Sequence, residues 1–275
     1  MKVGIIGTGN MGTILISAFI DSLAVRPSEL MIINRTAQKA EALKLQYPDL
    51  LVGKSNSEVA EFADILFVCV KPLEYYALIE RISPYLTNDK LVVSITSPIS
   101  VEQLEELTPC SVARAIPSIT NRALSGASLI TYGKRCSEDQ KKNLEQLMGC
   151  ISTPVEIDQA ITRVASDLSS CGPAFFSYLL QAYIESAVEE TEISKEQATY
   201  LVSEMIIGMG KLLEKEIYTL PTLMKKVCVK GGVTGEALKV FDAELGPLFN
   251  HVIDRTHKKY EEDCELVERQ FTKQY

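Results

Sequence analysis

The first twelve residues, MKVGIIGTGNMG, run a short apolar stretch straight into G-x-G-x-x-G, with glycines at positions 7, 9 and 12. A strand that ends in this loop and reopens as a helix is an address for a dinucleotide. Gly7 permits the tight turn, Gly9 lets the backbone approach a pyrophosphate, and Gly12 allows the following helix to pack closely on its strand. The free N–H groups of the helix start then face the phosphates. An amphipathic continuation through Ile14, Leu15, Ala18 and Phe19 supplies the helix. The loop therefore assigns Ile6, Gly7, Thr8, Gly9, Asn10, Met11 and Gly12 to cofactor binding.

In such folds an acid about 20 residues beyond the glycines takes the ribose hydroxyls of NAD. Here the second apolar run, Leu30-Met-Ile-Ile-Asn-Arg-Thr36, ends without one. Asn34 bonds a hydroxyl or a phosphate without repelling it, and Arg35 with Thr36 offers a cation and a donor to a 2′-phosphate. NADP(H) is favoured over NAD(H). The competing reading is that Arg35 is a solvated loop residue.

A chain of 275 residues has room for two cores. Its net charge of −8 and pI near 5.0, with no Lys/Arg-rich run, argue against nucleic acid as a partner. Seven dispersed cysteines, without a C-x-x-C pair or clustering with the two histidines, read as free thiols in a reducing compartment and give no metal site. The first strand starts at residue 2 and no apolar run reaches membrane-spanning length, so a soluble, cytoplasmic protein without a membrane partner is expected.

Up to residue 157 short apolar runs alternate with helix-period segments, the pattern of an α/β fold with a doubly wound parallel sheet. Strands are predicted at 2–6, 30–34, 50–52, 65–70, 90–95, 111–115, 127–131 and 153–157, and capping boxes at Ser100/Gln103, Ser137/Gln140 and Ser194/Gln197. Beyond Ile157 the strand pattern stops. Helices are predicted at 158–168, 173–191, 195–215, 221–228 and 235–270, with Pro221 in a first turn and a break or kink at Gly246-Pro247. The expected division is a Rossmann-type dinucleotide-binding domain over 1–157 and an all-helical dimerisation and substrate domain over 158–275. The helix from Ala174 carries Phe175, Phe176, Tyr178, Leu179, Leu180 and Tyr183, more apolar surface than one short bundle covers, so a subunit interface is expected there.

Ligands of open α/β sheets lie beyond the carboxyl ends of the strands. Val70-Lys71-Pro72 and Ile95-Thr96-Ser97 close two strands and are assigned to the cofactor crevice, although Lys71 reads equally as an ordinary strand-end lysine. In the helical half, Val229-Lys-Gly-Gly-Val-Thr-Gly235 leads glycine-rich into a helix. Successive amides from Gly231 to Thr234 suit a carboxylate, and Thr234 adds a hydroxyl that exchanges a proton. A capped turn between helices is the plain alternative. Cys171, His251 and His257 are read as packing or solvated residues, and the acidic stretch at Glu261, Glu262 and Asp263 as a solvated helix face.

These pieces together resemble the pyrroline-5-carboxylate reductase family along nearly the whole chain. The matching motifs are I-G-T-G-N-M-G, Asn56 ahead of A-D-I-L-F-V-C-V-K-P, Arg114-Ala-Ile-Pro117, Cys171-Gly-Pro-Ala-Phe175 and Gly231-Gly-Val-Thr234. The resemblance implies a Rossmann domain, a helical domain that interleaves with a second subunit in a homodimer or larger assembly, and NAD(P)H-dependent reduction of a small cyclic imino acid, 1-pyrroline-5-carboxylate, to L-proline. It implies that Asn34, Asn56, Val70 and Lys71 line the cofactor, that Lys230, Gly231, Gly232, Val233 and Thr234 meet the substrate, and that Thr234 is the catalytic hydroxyl at the imine nitrogen.

Three motifs depart from the family pattern. Val229-Lys230 replaces Ser-Pro, Ser118-Ile119-Thr120 replaces Asn-Thr-Pro, and Ser170-Cys171 stands where Gly-Ser precedes Gly-Pro-Ala. The phrases I-P-S-I-T-N-R-A-L and V-K-G-G-V-T-G are most similar to the family's divergent late-competence ComER branch. A changed imino-acid substrate, or a cofactor-binding regulatory protein with little turnover, are the rival expectations.

Overall fold

A computed structural model describes residues 1–272. The chain forms two compact units, one of Met1–Pro173 together with the residues from Arg255 onward, the other of Ala174–Asp254.

All eight predicted strands form: β1 (Val3–Ile6), β2 (Leu30–Ile33), β3 (Leu51–Val52), β4 (Ile65–Val68), β5 (Leu91–Ser94), β6 (Ser111–Ile116), β7 (Ala127–Tyr132) and β8 (Thr153–Glu156). They make one sheet in the order β3-β2-β1-β4-β5-β6-β7-β8. The chain order reverses at β1, where Ile6 sits level with Ile33 on one side and Val68 on the other. Every residue of β1, β4, β5 and β6 is buried, as expected of strands covered on both faces.

The sheet is not parallel throughout, which corrects the expectation. β7 runs antiparallel to β6, with Ala113 opposite Tyr132 and Ile116 opposite Leu129, and β8 runs parallel to β7. Between β6 and β7 the chain makes only a 3₁₀ turn over Ile119–Ala123 and passes Leu124 with φ of 54°. A return to parallel needs a crossover of a dozen residues or more, usually a helix, and no helix forms here.

In the sheet unit the helices are α1 (Asn10–Asp21), α2 (Ala37–Gln46), α3 (Asn56–Phe62), α4 (Tyr75–Ile82), α5 (Val101–Leu107), α6 (Glu138–Gly149) and α7 (Thr162–Ser166). One face of the sheet packs against Leu15, Phe19, Leu43 and Leu147. The other meets Val59, Ile79, Leu104 and Val267. The predicted boxes at Ser100/Gln103 and Ser137/Gln140 both close, each serine accepting from the third residue's amide. The remaining helices are α8 (Gly172–Glu190), α9 (Lys195–Glu214), α10 (Leu220–Val227), α11 (Val233–Glu244) and α12 (Leu248–Thr272). The break predicted at Gly246-Pro247 separates α11 from α12, and Gly246 takes φ of 42°. The run predicted as one helix over 158–168 is instead a 3₁₀ turn, α7 and a π turn over Asp167–Cys171.

Ala174–Asp254 differs from the sheet unit in burial. Ala198 is its single buried residue. Phe176, Tyr178, Tyr183, Tyr200, Leu201 and Met205 are all exposed, and Phe176 stacks near Phe249 with ring centroids 6.4 Å apart.

At the strand ends a buried hydroxyl fastens β4 to β5. Tyr75, fully buried, donates to the Val68 carbonyl and accepts from the Ser94 hydroxyl and, at 3.3 Å, from the Ile95 amide. Burial pushes its phenol well above the ordinary value. Tyr75→Phe leaves these groups short of a partner in a dry site, so it should lower unfolding free energy by about 1–3 kcal/mol, measured by urea denaturation.

Candidate functional site

The glycine loop joins β1 to α1 under close steric limits. A Cβ on Gly12 would lie 2.0 Å from the Gly7 carbonyl oxygen, and one on Gly7, at φ of +101°, would lie 2.4 Å from the Cys69 carbonyl oxygen. Gly9 is different, because a Cβ there meets nothing within 4 Å and its φ of −71° suits any residue. No side chain caps α1, and the buried Thr8 hydroxyl has no hydrogen-bond partner. Uncapped amides, an open backbone at Gly9 and an orphaned hydroxyl fit a pyrophosphate at this helix start.

The loop opens on a cleft of about 1150 Å³ at the carboxyl ends of β1, β2 and β4. Ile6, Gly7, Gly9, Asn34, Arg35, Asn56, Val70 and Lys71 line it, so these predicted cofactor residues are gathered in one place. Thr8 and Asn10 line a smaller hollow of about 430 Å³ that shares Gly9 and Lys39 with it. Met11, Gly12, Pro72, Ile95, Thr96 and Ser97 line neither. Cys69 also lines the cleft, and burial pushes its thiol well up, which keeps it neutral there.

Asn34 has a second task. Its Oδ1 accepts the Thr8 amide at 3.0 Å and its Nδ2 donates to the Thr36 carbonyl at 3.0 Å, tying the glycine loop to the end of β2. Arg35 reaches across the mouth of the cleft to Glu74, with Nη1 to Oε1 at 3.0 Å. Sequence reading missed Lys39, Lys54 and Arg81, which line the same cleft from other elements. Five cations, Arg35, Lys39, Lys54, Lys71 and Arg81, thus stand against two carboxylates, Glu41 and Glu74, in a chain of net charge −8.

Ser97 is held from behind. Arg114, 1% exposed on β6, donates to the Ser97 carbonyl at 3.3 Å, to Thr131 Oγ1 at 3.0 Å and to Thr162 Oγ1 at 2.6 Å. The Tyr260 hydroxyl donates to the same carbonyl at 3.3 Å, and burial pushes that phenol up to about 12. Burial pulls the Arg114 guanidinium below its usual value. Ser118 is fully buried, accepts the Thr120 amide and donates to the Ser169 carbonyl at 3.0 Å. The Ser170 hydroxyl donates back to the Pro117 carbonyl at 3.0 Å, so this loop and the π turn are laced together. Cys171 receives a contact from Arg163 Nη2 at 3.3 Å, and the same guanidinium pairs with Asp167 at 2.9 Å.

In the helical unit, Gly231 takes φ of +76° and leads through Gly232 into α11, which no side chain caps. The Gly232 amide donates to the Val229 carbonyl at 3.0 Å, which closes a turn. Thr234 is half-buried in the first turn, whereas Val229, Lys230 and Val233 are exposed.

The pyrroline-5-carboxylate reductase dimerisation model matches residues 159–263, and a model described as NADP oxidoreductase, coenzyme F420-dependent, matches residues 2–98. ComE operon protein 4 of Bacillus subtilis (strain 168) is 53% identical over 271 residues, covering 98% of this chain and 99% of the relative. Pyrroline-5-carboxylate reductase 3 of the same organism is 30% identical over 270 residues, covering 98% and 99%. The chain belongs to the pyrroline-5-carboxylate reductase family. The fold agrees: the Coxiella burnetii pyrroline-5-carboxylate reductase superposes with a TM-score of 0.86 at 22% identity, covering 95% of this chain and 98% of that one. The Plasmodium falciparum reductase, solved with NADP bound, gives 0.81 at 22% identity over 99% and 98%. Among the described residues of this family member no helix is long and apolar enough to cross a membrane, and no group of three His, Cys, Asp or Glu side chains gathers as for a metal.

The glycine geometry separates folding from binding. Gly12→Ala should cost about 1–3 kcal/mol of stability through overpacking, whereas Gly9→Ala, which clashes with nothing and exchanges only the N-cap residue, should cost less, at most about 1 kcal/mol, and weaken dinucleotide binding, read by differential scanning fluorimetry and cofactor titration.

Proposed function

We propose that this protein is an NADPH-dependent reductase of a small cyclic imino acid, of the type that converts 1-pyrroline-5-carboxylate to L-proline. The observation that carries the reading is the presence, in one chain of this family, of two uncapped glycine-rich helix starts of different character. One opens on a cationic cleft, and the other bears Thr234.

The cleft supports the proposed cofactor choice. The strand β2 ends in Asn34-Arg35-Thr36 with no acid, and the surplus of cations favours the dianionic 2′-phosphate over a hydroxyl. The relative from Plasmodium falciparum was solved with NADP, which supports the same preference. A bound nicotinamide supplies the hydride. The chain's own part is to bind, orient and exclude water. Asn34 and the glycine loop fix the dinucleotide end, Tyr75 and Arg114 set the strand ends behind Ile95 and Ser97, and the amides of Val233 and Thr234 receive a carboxylate. The Thr234 hydroxyl manages the proton at the imine nitrogen.

The helical unit supports a homodimer. A set of helices whose only buried residue is Ala198 lacks a core of its own, and a family model described as dimerisation matches this stretch. A second copy of the chain is the cover we assign. A second functional reading, a changed imino-acid substrate or a regulatory protein without turnover, rests on the exposed Val229 and Lys230, where the family resemblance implies Ser-Pro.

NADPH oxidation with 1-pyrroline-5-carboxylate decides between these readings. Turnover that Thr234→Ala abolishes supports the reductase, and NADPH binding without turnover supports the second reading. NADPH should bind at least about tenfold more tightly than NADH, the size of one charge-assisted contact, by fluorescence titration. Light scattering at micromolar concentration should give the mass of a dimer or more, and Tyr178→Asp should lower that mass.

A further inference from the structure

The second strand lacks the acid that would select NAD, yet the folded chain brings one to the same place from another element. Glu74 ends the 3₁₀ turn Pro72–Glu74 that follows β4, where Pro72 fixes its start and the Glu74 amide donates to the Lys71 carbonyl at 2.9 Å. From this rigid turn its carboxylate meets Arg35, 39 residues earlier in the chain, at 3.0 Å. Both side chains line the dinucleotide cleft, and Glu74 is the more sheltered of the two, 41% against 87% exposed. Among the described residues the ion pair of Arg35 is with Glu74, while Glu41 is the other carboxylate lining the cleft.

We propose that Glu74 is a specificity-determining residue, which holds Arg35 and thereby limits the preference for a 2′-phosphorylated cofactor. The inference rests on the reading that Arg35 receives the 2′-phosphate. Two opposing demands follow from the geometry. The Glu74 carboxylate holds the Arg35 guanidinium beside the cleft, although the guanidinium stays largely solvated. The same carboxylate engages an Arg35 donor that a phosphate dianion must take over, so the two anions compete for one guanidinium. For an exposed pair this competition outweighs the ordering, because the pair itself is weak and Arg35 remains tethered by its own short loop. An unphosphorylated ribose carries no such charge and does not feel the competition.

Titration of NADPH, NADH, adenosine 2′,5′-bisphosphate and adenosine 5′-monophosphate into the unmodified protein, Glu74→Gln, Arg35→Ala, the double variant and Glu41→Gln tests this without any turnover. Both side chains of the pair are exposed, and melting curves check that each variant folds. Glu74→Gln should tighten NADPH and the bisphosphate about two- to fivefold, the coupling of an exposed ion pair, and leave NADH and the monophosphate unchanged. The gain should vanish in the Arg35→Ala background and be smaller for Glu41→Gln. A gain that persists without Arg35, or equals that of Glu41→Gln, reduces Glu74 to a general charge effect and overturns the proposal. No gain, with Arg35→Ala still weakening NADPH, overturns it while sparing the assignment of Arg35. If Arg35→Ala leaves NADPH binding unchanged, that assignment falls, and the role of Glu74 with it.

Discussion

The close approach of β1, α1 and β4 at the glycine loop is the constraint on which the rest of the site depends. Gly12 lies so near the Gly7 carbonyl, and Gly7 so near that of Cys69, that neither position has room for a methyl group. This contact sets α1 with its uncapped amides at the point where the strand order reverses, the place in such sheets where a crevice forms. Asn34 then joins the end of β2 to the same loop through both ends of its carboxamide. Steric exclusion and one amide side chain thus align three strand ends before any ligand arrives.

Further along the sheet, polar groups that never reach the cleft do comparable work. Parallel strands splay beyond their last ladder bonds, and buried donors at these ends need partners. Tyr75 serves β4 and β5, and Arg114 with Tyr260 serves the turn at Ser97. Arg114 is costly to bury, since it donates to a carbonyl and two hydroxyls rather than to a carboxylate. The lacing of Pro117 and Ser118 to the π turn at Ser169 and Ser170 continues the same scheme. The buried Ser118 holds two loops together.

The two compact units are stabilised differently. The sheet unit buries two apolar faces. Ala174–Asp254 leaves aromatic and aliphatic groups in solvent along α8 and α9, with only Ala198 buried. Helix propensity and capping boxes such as Ser194/Gln197 form the helices locally, but they cannot supply the burial that ordering a chain of this length requires. That is the physical basis for assigning a second copy as its cover.

Local patterns carried much of this protein in the sequence itself. The eight strands, the capping boxes, the break at Gly246-Pro247 and the glycine loop follow from periodicity, hydroxyl caps and residues that alone tolerate a given backbone, all of which act within a few positions. The family was legible for the same reason, since its motifs are short and contiguous. What the tertiary structure decided involves residues far apart in the chain. The antiparallel β7 depended on a connection too short for a crossover, and the predicted helix over 158–168 broke into a 3₁₀ turn, α7 and a π turn. Lys39, Lys54 and Arg81 became cleft residues only when three elements met, and the acid absent from the end of β2 arrived from Glu74. Sequence spacing encodes hydrogen bonds and caps between neighbours, whereas the charge facing a cleft is a sum over elements that only the folded sheet brings together.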